Sequence, residues 1–117
     1  MKSILKIFYP SGSLKRKILD IIDDIKIMIK SACHEKFEVE WYGVYDINPK
    51  HLAIWICVES DKTKFELESN EALILNLKGL LTKHGYPVGA IPFVQIGFES
   101  QETVNRESGG DWHLHFQ

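Results

Sequence analysis

Two histidines one residue apart, His113 and His115, lie near the end of the chain, inside the stretch GFESQETVNRESGGDWHLHF that runs from Gly97 to Phe116. On a strand, residues two apart point to the same side, so this spacing offers two imidazoles to one metal ion or to one substrate. A metal would need a third donor. Glu38, Glu40, His51 and His84 have suitable chemistry, but no spacing ties any of them to the pair. The competing reading is a strand face that uses histidine as a polar residue. The same stretch holds Glu99, Glu102, Glu107 and Asp111, with Arg106 among them. Gln101, Asn105 and Ser108 add hydrogen-bonding capacity, and Gly109-Gly110 suits a turn at positive φ.

Other chemistries find less support. Cys33 and Cys57 form no CxxC pair, which argues against a cysteine-built zinc site and for two buried thiols in a reducing compartment. No serine lies in a G-x-S-x-G turn, and Ser100 and Ser108 have no base paired to them in sequence. Ser108-Gly109-Gly110 leads towards a predicted strand rather than opening a helix, so neither a phosphate loop nor a dinucleotide fingerprint is present. Nucleic-acid binding would need aromatic and basic residues on one face, whereas the aromatic strands here carry acids. None of these patterns calls for a cofactor, and no catalytic residue or metal ligand is assigned.

The elements that must position these residues follow from periodicity. Leu14, Ile18, Ile21, Ile22, Ile25, Met28, Ile29 and Ala32 recur at three- and four-residue intervals, which predicts a helix of about five turns capped by Ser11 or Ser13. Phe37, Val39 and Trp41 alternate with Glu38, Glu40 and Tyr42, the pattern of a strand with one wet face. Asn48-Pro49 breaks the chain, and LAIWICVE from Leu52 to Glu59 reads as a central strand, so 37–45 and 52–59 form an antiparallel hairpin. SDKTKFELES reads as a turn with a short extension. A second helix starts at Asn70 or Ser69, buries Leu73, Leu77, Leu80 and Leu81, and stops before Gly85 and Pro87. IPFVQIGF is the next strand. Trp112, Leu114 and Phe116 alternate with the histidines in a last one, after a connection of about a dozen residues, long for a hairpin. Residues 2–9 fit either a strand or a helical turn. The expected fold is one α+β domain over 1–117: an antiparallel sheet of four or five strands, two helices on one face, and the acids and histidines on the other.

Charge and targeting narrow the role. Residues 1–36 carry +4 and residues 37–117 carry −6. This asymmetry is either an ordinary solvated surface or one shaped for a basic partner, since complementary potentials steer association. The apolar run near Met1 is too short for a signal-peptide core, and no segment reaches the ~18 apolar residues of a membrane span. A cytoplasmic protein is expected, in contact with neither nucleic acid nor membrane.

The string F-E-S-Q-E-T-V-N-R-E-x-G-G-x-W, from Phe98 to Trp112, resembles the closing stretch of small bacterial α+β proteins, some of them similar to immunity proteins of contact-dependent or polymorphic toxin systems. The resemblance covers about a fifth of the chain and carries no catalytic residue with it. It implies a non-enzymatic protein that neutralises a cognate toxin, a nuclease with a basic cleft being one candidate, through an acidic surface. Glu99, Gln101, Glu102, Arg106, Glu107 and Asp111 are the expected contacts, with Glu38 and Glu40 as second choices. The alternatives are a metal-binding protein or hydrolase built on His113 and His115, a structural or oligomeric module, and, for the 99–111 segment, an ordinary solvated loop.

Overall fold

A computed structural model describes residues 9–43 and 45–117. The two readings of residues 2–9 fall outside this range except at Tyr9. Helix α1 spans Leu14–Ala32, and the Ser13 side chain accepts the N–H of Arg16 as its cap. Ile18, Ile21, Ile22, Ile25 and Ile29 are buried along one stripe, as their spacing requires.

Strands β1 (Glu38–Tyr42) and β2 (Ala53–Val58) form the expected antiparallel hairpin, with Val39 opposite Ile56 and Trp41 opposite Ile54. Glu38 and Glu40 therefore stand on the outer face. Between the strands, Asn48 caps a 3-10 turn over Pro49–His51 by accepting the Lys50 N–H. Gly43 closes the hairpin at φ +110°, and a Cβ there would stand 1.8 Å from the His51 carbonyl oxygen.

The second half departs from the expectation. Asp61–Glu68 is a helix, α2, rather than a turn with an extension, and helix α3 follows at Glu71–Lys83 with Asn70 as its cap. These two helices carry the chain back to the start of the sheet. Strand β3 (Gln95–Ser100), entered through a 3-10 turn at Ile91–Phe93, therefore runs parallel to β2. Parallel neighbours require such a crossover. The chain then forms helix α4 (Gln101–Ser108) and a single turn, α5 (Trp112–His115), where a long loop and a strand were expected. The α+β class stands. Among the described residues, however, the sheet is mixed with three strands in the order β1-β2-β3, not antiparallel with four or five, and the helices number five rather than two.

The core lies on the inner face of this sheet. Val39, Ile54, Ile56, Val58 and Phe98 meet the isoleucines of α1 and Leu73, Leu77, Leu80 and Leu81 of α3. Tyr86 is buried beside them and its hydroxyl donates to the Pro49 carbonyl at 2.6 Å. No described helix is long and apolar enough to cross a membrane.

Two glycines should respond oppositely to alanine. Gly43→Ala meets backbone and a disfavoured φ, and should lower the stability read from urea unfolding by about 3 kcal/mol. Gly79, inside α3 with open space around it, should gain up to about 1 kcal/mol from the same change.

Candidate functional site

Strands β2 and β3 lie side by side and parallel, so the helices that follow them start side by side as well. Ser60 caps α2 by accepting the Thr63 N–H, and Ser100 caps α4 by accepting the Thr103 N–H. A helix start leaves about four N–H groups without intrahelical partners and carries partial positive charge. Each helix lends the other an acid. Asp61 of α2 accepts the hydroxyls of Ser100 and Thr103 and the Arg106 guanidinium, while Glu102 of α4 accepts the Asp61 N–H at 2.9 Å. Glu35 completes the arrangement by accepting the N–H groups of Glu59 and Ser60 and the Ser60 hydroxyl. The donors hold these acids in their charged forms: the hydroxyls of Ser100 and Thr103 hold Asp61 down to about 2, and the Ser60 hydroxyl lowers Glu35.

A second polar line fixes the chain after α4. Lys64 Nζ donates to Glu99 Oε1 at 2.8 Å, and His115 Nε2 lies 2.8 Å from Glu99 Oε2. His115 Nδ1 in turn meets the Ser108 hydroxyl at 2.9 Å. Burial works against the Glu99 charge, but Lys64, His115 and the Ser100 N–H together keep its carboxyl below the ordinary range. Trp112, His113 and His115 are thus on one helical turn capped by Asp111, which accepts the Leu114 N–H. The two imidazoles do not form a strand-face pair. Both nitrogens of His115 are engaged, whereas exposed His113 reaches, among the described residues, only Gln117. Among the described residues, no three His, Cys, Asp or Glu side chains gather at a metal-holding distance.

With the tail anchored this way, Phe116 lies over the outer face of the sheet. Its ring centroid is 4.9 Å from that of Trp55 and 5.7 Å from those of Tyr42 and Trp112. Trp55 lies across β3 where Gly97 leaves room, since a Cβ there would come within 2.7 Å of the indole. The Trp112 indole N–H donates to Gln101 Oε1 at 2.7 Å.

Between this aromatic wall and β1 runs a groove of about 390 Å³, lined by Glu38, Glu40 and Tyr42 of β1, Cys57 and Glu59 of β2 and its exit, Lys36, Gln101, Trp112 and Phe116. A shallower groove continues it past Glu59 and Gln101 to Glu102 and Asn105. The result is an acidic trough across the outer face. Glu38, Glu40 and Glu59 are exposed, and their carboxylates have no hydrogen-bond or ion-pair partner among the described residues. The Cys57 thiol in the floor is pushed up to about 12, by burial first and then by Glu40, Glu38 and Glu99, so it is not a nucleophile at neutral pH.

The expected contact residues therefore separate. Gln101 and Glu102 line the trough. Arg106 and Glu107 are exposed on α4, with Arg106 paired to Asp61 at 3.0 Å. Glu99 is buried and Asp111 is a helix cap, so both act by placing the walls. Tyr42, Trp112, Phe116 and Glu59 belong to the site although sequence reasoning passed over them. The available signal was the pair Ser60…Thr63 and Ser100…Thr103, each with an acid in the first turn, followed in the second case by Gly109 at φ +60° as a helix stop. Comparison with protein families, with characterised proteins and with solved structures found no match.

Asp61 has a sharp pH signature. Its folded value lies below its ordinary one, so its contribution is present above about pH 4 and is lost as pH falls towards 2. Asp61→Asn should lower the urea midpoint at about pH 5 and approach the parent protein near pH 2, flattening the acid limb of the stability curve.

Proposed function

We propose that this chain is a non-enzymatic binding protein of the immunity type, which neutralises a basic toxin domain by laying its acidic trough against it. The trough itself carries this reading: Glu38, Glu40 and Glu59 share one concave surface with partly exposed aromatic rings, and among the described residues no cation pairs with them. Carboxylates that cap helices are already satisfied. These three are not, and they suit a positively charged cleft such as that of a nuclease. Rings at the centre of such a surface supply the apolar contact that carboxylates lack. Gln101 and Glu102 extend the contact onto α4, with Glu107 and Arg106 at its rim. Glu99 and Asp111 serve binding indirectly, by holding the tail that builds the wall. The action is intracellular in this proposal, on a toxin that acts in the cytoplasm.

A hydrolytic reading has one observation of its own, the Ser108–His115–Glu99 line of hydroxyl, imidazole and carboxylate. It falls short at the next requirement. The N–H groups of Gly109 and Gly110, the nearest backbone donors after Ser108, both point to the Val104 carbonyl, so neither can stabilise an oxyanion.

The test is co-purification with a toxin domain encoded beside this chain, followed by charge reversal. Replacing Glu38, Glu40 and Glu59 with lysine should slow association by roughly tenfold or more and remove most of its salt dependence. Unchanged binding by that variant would take the acidic trough out of the proposal.

A further inference from the structure

We infer that the aromatic end of the trough is a seat for one arginine side chain presented by the partner. This rests on the proposal that the trough binds a basic protein, and it names the chemistry of the contact. Glu38 and Glu40 are two residues apart on one face of β1, roughly 7 Å along the strand, so a single planar cation can reach either carboxylate. Trp112 and Phe116 form the wall facing them, and Tyr42 continues their own row on β1. Tyr42 is 45% exposed, and Trp112 and Phe116 are half-buried, which leaves ring surface open to the groove.

Rings and carboxylates select differently, and together they narrow the occupant. A divalent metal gains nothing from the rings, and an anion is repelled by the acids. A lysine ammonium suits the carboxylates but is strongly hydrated and presents no flat face. A guanidinium stacks on an aromatic face through its plane while its edge donates two hydrogen bonds to a carboxylate. Among the described residues, Lys36 is the one cation lining the groove against three carboxylates, Glu38, Glu40 and Glu59, so an incoming positive charge remains favoured. The groove's volume of about 390 Å³ suits one or two side chains rather than a folded element.

The experiment is a two-dimensional NMR titration of the full chain with acetyl-Gly-Arg-Gly-amide and with its lysine counterpart, at low salt. The arginine peptide should shift the Trp112 indole N–H and the amides of Glu38–Tyr42, with the lysine peptide at least about threefold weaker. Glu38→Gln with Glu40→Gln should reduce the arginine response by about tenfold while leaving the urea midpoint within error of the parent, since both side chains are exposed. Equal responses to the two peptides, no shift at the groove, or a response unaffected by the double substitution would each overturn the assignment. The two proposals fail separately. A toxin that binds the parent and the doubly substituted protein alike removes the arginine seat and leaves the immunity reading. A groove that takes the arginine peptide in a chain that binds no toxin does the reverse.

Discussion

Two helix starts facing each other are the constraint on which the rest of this structure depends. Because β2 and β3 are parallel neighbours, α2 and α4 begin at the same end of the sheet, and their partly positive N-termini crowd together. Without anionic partners, such an arrangement would set unpaired donors and two like partial charges beside one another. Asp61, Glu102 and Glu35 supply those partners, each reaching across to an element other than its own. Once that junction is closed, β3 can pass straight into α4, α4 can return the chain to the outer face, and the tail can lie down there.

The same junction explains which parts of the fold were legible in the sequence. Helices α1 and α3 and the β1–β2 hairpin announce themselves because each carries its own apolar pattern, five buried isoleucines in α1 and four buried leucines in α3. Helices α2 and α4 have no such stripe. Each is eight residues long, and α2 buries only Leu67 while α4 buries Thr103 and Val104. They are held by caps and by each other, so their sequences look like polar connections. Five alternating residues at the end of the chain fit one helical turn as well as a strand, and Asp111 as a cap decides the matter. With α4 and α5 read as a loop and a strand, IPFVQIGF is given an antiparallel neighbour in the tail, and its parallel pairing with β2 across α2 and α3 carries no signal of its own.

The site was legible to the same degree. Alternation along β1 places Glu38 and Glu40 outward without any knowledge of the fold. What alternation cannot supply is register. The meeting of Trp55 with Gly97 and the arrival of Phe116 above them depend on which residue of one strand faces which residue of another. Counting acids also misleads here. Glu99, Asp111 and Asp61 look like surface charge in the sequence, yet they accept hydrogen bonds from the protein itself. Glu38, Glu40 and Glu59 look no different and are left over. A carboxylate becomes a candidate for recognition only after the backbone donors have taken what they need.

Gly97 has a consequence beyond its own strand. The missing side chain lets an indole lie flat, the indole carries Phe116, and Phe116 touches both Tyr42 and Trp112 across the mouth of the groove. The four rings form a short lever whose fulcrum is an absent methyl group. A change of one carbon at its base would be transmitted through rigid planes to the distance between the jaws. The width of this groove is therefore adjustable from beneath, at a position outside its lining.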